Sequence, residues 1–203
     1  MTLPGFSALE LDALREVGSI GAGHAATALS QLVDRPVHLA APEIEVVAQS
    51  EIASAFAGPQ CVVCAVYASL LGDIGGGILF MASEETSLAL LDLLGGVAMG
   101  TTRSIEAEDA ELLGHAGSIL ISAYLSAIAR TTGLDVLPSS PTMVFDMAGA
   151  ILQAAALEVD IMAEQAVLVR NAFLGTDGSA EAALFFLPDP DSMAAILNRL
   201  GVV

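Results

Sequence analysis

The sequence predicts an α/β (α+β) fold in which two pseudo-symmetric helix–strand repeats share one central β-sheet with long helices packed on it. Three observations carry this. The chain is written twice at an offset near 99 residues, as Ser19 to Ser118 and Pro42 to Pro141 show. Both copies have the same order of elements. Each copy also supplies about three apolar strand-like segments, which one shared sheet covers most simply.

Each half opens with a long helix, over 8–33 and 106–132. The apolar positions there recur at helical spacing: Leu14, Val17, Gly21, Ala25, Ala28 and Leu32 in the first, Leu113, Ala116, Leu120, Tyr124 and Ala127 in the second. An extended segment holding the proline follows (36–48 and 134–146), then a short helix (50–57 and 147–157). Two apolar strands come next, 60–71 with 74–82 and 160–172 with 180–187, joined by Gly-Asp and Gly-Thr-Asp-Gly hairpin signals. A closing helix ends each half, at 84–94 and 190–200, with Asp189-Pro-Asp191 as an N-cap region. Gly72 corresponds to Gly175, Phe80 to Phe186 and Leu94-Gly95 to Leu200-Gly201. The reading is a single domain over 1–203 with repeats at about 8–95 and 105–201, linked by GGVAMGTTRS. Two separate domains are the other arrangement, but each would leave an apolar sheet edge unprotected.

Composition narrows the partners. Net charge is −18, from 24 acids against six arginines and no lysine, which repels nucleic acid and anionic lipid. Hydrophobic residues make up 55%, enough for a substantial core. The uncharged stretches Ser19 to Val33 and Ala116 to Ala129 are broken by polar or small residues, short of the roughly 20 apolar residues a bilayer span needs. The start, MTLPGFSALE, lacks a secretory pattern, so a cytoplasmic protein without membrane insertion is expected. Cys61 and Cys64 form C-x-x-C inside an apolar run and read as two buried thiols. His24, His38 and His115 have no metal-ligand spacing. Gly21-Ala-Gly23-His-Ala-Ala26 matches a dinucleotide pattern in letters, but it lies in a helical stretch and lacks the strand–turn–helix context. Gly75-Gly76-Gly77 marks close packing or a bulge.

Placed at about 100° per residue, each long helix carries a polar ridge opposite its apolar stripe. Asp12, Glu16 and Ser19 stand at i, i+4, i+7 in the first helix, and Glu111, His115 and Ser118 do so in the second. Gly23, Ala26 and Ser30 extend the first ridge, and Ser122 and Ala129 the second. A solvated face accounts for either triplet taken alone. Yet the triplet recurs, and small residues beyond it admit another backbone closely, which suits docking.

These residues resemble the CheC/CheX/FliY phosphatase family. Its paired pattern is Ser or Asp, three residues, Glu, two residues, Asn, then Pro after 22 more. Asp12, Glu16, Ser19 and Pro42 fall on that spacing, as do Glu111, His115, Ser118 and Pro141. GSIGAGHAATALS is similar to the family's Asn-Ile-Gly signature with Ser for Asn, and the double motif with no further switch domain is similar to CheC. The resemblance implies hydrolysis of the aspartyl-phosphate of a CheY-like response regulator. Glu16 would contact the receiver's lysine, Ser19 would orient water, and Asp12 would be accessory. It implies no intrinsic cofactor, since the magnesium belongs to the receiver.

Departures from the pattern set further expectations. Ser19 is shorter than Asn, so the first site is expected to be slow or binding-only. Glu111, His115 and Ser118 form a degenerate second site, because imidazole does not attract a lysine. The resemblance also implies binding of the receptor deamidase CheD through Phe145, Asp146, Gly149 and Ala150, with Asp146 as a cap of the short helix. A non-catalytic adaptor for CheD or the receiver is the alternative function, and a merely architectural repeat is the third.

Overall fold

A computed structural model describes residues 6–39, 43–48, 51, 54, 56, 58–158, 165–174 and 181–202. The chain runs α1 (Ala8–Val33), β1 (His38–Leu39), β2 (Glu43–Ala48), β3 (Val62–Gly72), β4 (Gly76–Ser83), α2 (Glu84–Leu94), α3 (Asp109–Thr132), β5 (Val136–Pro138), β6 (Thr142–Met147), α4 (Ala148–Glu158), β7 (Gln165–Leu174), β8 (Glu181–Pro188) and α5 (Pro190–Arg199). The expected fold class is the one observed. Most of the first-half short helix expected over 50–57, together with Pro42, lies outside the described residues.

Every strand pairing is antiparallel, and the strands form one sheet in the order β1–β7–β8–β4–β3–β5, with β2 also on β7 and β6 on β3. The first half's proline-side strand therefore pairs with the second half's hairpin, and the reverse holds for β6. The exchange is symmetric in register: Glu43 faces Arg170 in one half and Thr142 faces Tyr67 in the other. Following the hairpins inward, Arg170 faces Ala183 and Tyr67 faces Leu79. Phe80 is thus equivalent to Leu184, not to Phe186 as matching the aromatic letters suggested. Backbone pairing, rather than side-chain identity, sets the register.

Alternation along the strands buries both faces. Cys64, Val66, Ala68, Ile78, Phe80, Ala82, Ala182, Leu184 and Phe186 meet the long helices together with Leu90, Leu91, Ile196 and Leu197 of α2 and α5. Val63, Ala65, Tyr67, Leu79, Met81, Ala183, Phe185 and Leu187 are covered on the other face by Phe56 and by Ala148, Ile151 and Ala155 of α4. At the start of β4 Gly76 has φ of +115°, and a Cβ there would strike the Leu187 carbonyl. The glycine run thus marks close backbone packing, because a left-handed residue can sit against a carbonyl only without a side chain.

Helix ends follow local chemistry. Ser7 and Glu10 close a capping box on α1, which holds the Glu10 carboxyl below its ordinary range. Asp189 caps α5 by accepting from the Ser192 N–H at 2.7 Å. Asp146 does not cap α4: β6 runs through Met147, and the Asp146 carboxylate takes the Met147 N–H at 2.7 Å. The first N–H groups of α4 are instead satisfied by the turn before β3, Ala148 donating to the Cys61 carbonyl and Gly149 to that of Pro59. In α1 the buried line runs through Leu14, Gly18, Gly21, Ala25 and Leu29, leaving Leu32 40% exposed and Ala28 half-buried. Positions 18, 25 and 32 drift by about 20° per heptad, so Leu29 takes the core position near the helix end. All five positions expected for α3 are buried. By length and composition α3 could cross a bilayer, but Leu113, Leu120, Ile121, Leu125 and Ile128 are buried in the core.

Cys64 is buried and its thiol is pushed up to about 11 by burial, with a Ser87 hydrogen bond opposing, whereas Cys61 is exposed in the turn before β3. The run before β3 ends in that turn, which lifts Cys61 out of the core.

The linker between halves is held by a single buried carboxylate. Asp92 on α2 accepts from the Thr101 N–H at 3.0 Å, the Thr102 N–H at 2.8 Å and the Thr102 hydroxyl at 2.6 Å. The Thr102 hydroxyl leads in lowering its pKa; desolvation opposes, and the backbone donors of the linker add to the lowering. A depressed native pKa gives stability that is complete above the unfolded value of about 3.9 and is lost as pH falls through the native one. Urea unfolding should therefore show Asp92→Asn weaker than wild type at pH 7, the gap closing as pH drops below about 4. A gap that persists at pH 2 would contradict this.

Candidate functional site

The polar ridges lie where the helix periodicity puts them. Asp12, Glu16 and Ser19 are exposed on α1, and Glu111 and His115 are exposed on α3 with Ser118 half-buried. Each serine is held alike: the Ser19 hydroxyl donates to the Arg15 carbonyl at 2.8 Å, and that of Ser118 to the Gly114 carbonyl at 2.6 Å. This i to i−4 back-bond is the ordinary resting place of a helical serine. It commits the proton and leaves the oxygen lone pairs as acceptors. Asp12 is engaged by Arg15 at 2.8 Å in a solvent-exposed pair. No ion pair to Glu16 occurs among the described residues, so its charge is open to a partner.

The two long helices pack directly on one another. Gly21 sits so close to Tyr124 that a Cβ would enter its ring, and Gly117 lies against Val66, whose Cγ2 would be 2.5 Å from such an atom. These glycines seat the helices on each other and on the sheet, which fixes the separation of the ridges. Between them runs an open groove of about 590 Å³, lined by His24, Thr27, Ala28 and Gln31 of α1 and by His115, Ser118, Ile119, Ser122, Ala123, Ser126 and Arg130 of α3. Five successive antiparallel pairings set β2 and β6 in opposite directions, so the long helices that precede them in the two halves lie antiparallel. The second triplet's His115 and Ser118 thus enter the groove, whereas Asp12, Glu16 and Ser19 do not.

Of the other expected residues, Phe145 is 43% exposed on β6, facing the long-helix side opposite buried Cys64, and Met147 and Val62 beside it are also exposed. Gly149 is half-buried, and a Cβ there would come within 2.9 Å of the Pro59 carbonyl. Its smallness thus has an internal use. Ala150 is half-buried and Pro141 is exposed just before β6. Sequence reasoning missed the groove residues His24, Thr27, Gln31, Ser126 and Arg130. Their only sequence signal is the scarcity of acids along one side of each helix, and the antiparallel pairing gives that signal its meaning. The described residues hold no group of three or more His, Cys, Asp or Glu placed to bind a metal ion.

Residues 9–46, which span α1 and the first-half extended segment, match the CheC-like family. The CheY-P phosphatase CheC of Bacillus subtilis (strain 168) is 31% identical over 196 residues, covering 95% of this chain and 94% of that protein. The chain belongs to the CheC-like family. Thermotoga maritima FliY shares its fold with a TM-score of 0.77 at 16% identity, over 97% of this chain and 98% of the other. CheX in the Borrelia burgdorferi CheX–CheY–BeF3–Mg complex does so with a TM-score of 0.54 at 13% identity, over 83% of this chain and 95% of the other. The CheC-like α1 thus presents Glu16 and Ser19 on a fold common to this group.

Proposed function

We propose that this CheC-like chain binds a phosphorylated CheY-like response regulator through the α1 ridge and hydrolyses its aspartyl-phosphate slowly. The observation that carries this reading is Glu16 and Ser19 side by side and exposed, with the smaller Gly23, Ala26 and Ser30 beyond them. Glu16 supplies a carboxylate for a cation at the receiver's site. Ser19 accepts a hydrogen bond from a water that attacks phosphorus in line. The bond from phosphorus to the acyl oxygen then breaks, leaving the receiver's carboxylate, inorganic phosphate and a proton released to solvent. An acyl phosphate is labile, so positioning of water supplies much of the help. The magnesium is the receiver's, and cytoplasmic residence accompanies this role. Similarity over nearly the whole length to a protein named CheY-P phosphatase CheC supports the reading.

The test is the decay of phosphorylated CheY with and without this protein. Stoichiometric protein should accelerate it, and Glu16→Ala should remove about 90% or more of the acceleration, as loss of a charge contact worth about 1.4 kcal/mol or more requires. Unchanged decay with wild-type protein would sink the phosphatase reading. A second reading, an adaptor binding CheD, is favoured by Phe145, Met147 and Val62, which form an exposed apolar patch at the β6 edge. Retained CheD binding with no effect on CheY decay would select it.

A further inference from the structure

We infer that the groove between α1 and α3 is a binding site for a small phosphorylated organic anion. Its lining contains Arg130, His24 and His115, the hydroxyls of Thr27, Ser118, Ser122 and Ser126, and the Gln31 amide, but no carboxylate. On a chain with 24 acids and only six arginines, a groove that gathers one cation and two imidazoles without an acid runs against the surrounding charge. Arg130 has no ion pair among the described residues, the one recorded there being Arg15 with Asp12. Its charge is therefore available to a ligand. Guanidinium matches a phosphoryl group through paired N–H donors, and such charge-assisted bonds are about twice as strong as neutral ones. The Thr27 and Ser118 hydroxyls donate to the Gly23 and Gly114 carbonyls, so the further donors along the same wall are the Ser122 and Ser126 hydroxyls, the Gln31 amide and the imidazole N–H groups. Ala28, Ile119 and Ala123 supply an apolar part for an organic body. The volume of about 590 Å³ suits a ligand of nucleotide size rather than phosphate alone.

The position of His115 gives the groove a second meaning. In α3 the imidazole stands where α1 has Glu16, and it opens into the groove beside Ser118. At this equivalent position α1 offers a carboxylate to a cation, whereas α3 offers an imidazole to an anion in the groove, which Glu111 of the same ridge does not line. A helix C-terminus alone would account for Arg130, which lies in the last turn of α3. It does not account for the two histidines or for the missing acids.

Isothermal titration of ATP, without magnesium, into the full chain at low salt tests this. Saturable one-site binding is expected, with inorganic phosphate competing weakly. Arg130→Ala should weaken ATP at least tenfold, Arg130→Lys should recover part of that loss, and His24→Ala with His115→Ala together should weaken it comparably. Absence of saturation at millimolar ATP, an unchanged affinity in R130A, or citrate binding as tightly as ATP would each overturn the proposal. The receiver assay reads the α1 ridge, so the two proposals fail separately.

Discussion

Ser19→Asn should raise the rate of CheY-P hydrolysis by this protein about 10²-fold, the scale of a misplacement near 1 Å. Ser19 is exposed one turn beyond Glu16, and its proton is held by the Arg15 carbonyl at 2.8 Å. Its oxygen therefore lies close against the helix. An attacking water bound there stands back from a phosphoryl group docked on the ridge. Asparagine carries its amide farther out and offers both a donor and an acceptor beyond the backbone's reach. The change adds only exposed polar atoms, so unfolding midpoints should stay within about 0.5 kcal/mol of wild type. Single-turnover decay of phosphorylated CheY measures the gain. The companion change Ser118→Asn should give no comparable gain, because His115 supplies no carboxylate beside it. An S19N rate equal to wild type would show that Ser19 does not occupy the water-orienting position.

Phe185→Ala should cost about 3–5 kcal/mol of stability, the range for a fully buried aromatic. Phe185 is among the largest wholly buried side chains, opposite Leu79 where β4 and β8 join the two halves. Its ring meets Phe56 edge-on at a centroid distance of 6.1 Å and an angle of 87°. Removing it opens a cavity at the seam, where α4, Phe56 and the sheet converge. Against a domain stability of about 5–15 kcal/mol this is a large fraction. Urea unfolding measures it, and Phe186→Ala on the opposite face serves as a control with one sheet face exchanged for the other. A loss below about 1 kcal/mol for F185A would mean that the seam is not closed as described.

Both results rest on different layers of the molecule, and those layers differ in how legible they were. The helix ridges needed only the 3.6-residue repeat: Asp12, Glu16, Ser19, Glu111 and His115 are exposed because the local spiral fixes side-chain direction, while Ser118 is half-buried where the two helices meet. The doubled order of elements was equally plain, since the proline spacing repeats. Local patterns were less reliable where elements end or meet. Leu32 read as core and is exposed, because the apolar line drifts around the helix and Leu29 takes the core position near its end. Asp146 read as a cap and is a strand residue, because β6 continues one residue past it. Phe80 matched Phe186 in letters, yet the hairpin register places it on Leu184.

The amino-acid order by itself determined which face of each helix and strand is apolar, and that the chain is two copies of one plan. Those properties depend on neighbours within a few residues and on the fixed geometry of helix and strand. The tertiary structure alone decided that β2 crosses to β7 and β6 to β3, and that α1 and α3 lie antiparallel with His24, His115 and Arg130 around one groove. Such pairings join residues 75 or more apart in sequence, as Tyr67 and Thr142 are, and their energy comes from surfaces closing on one another. No short window of sequence contains both sides of that contact.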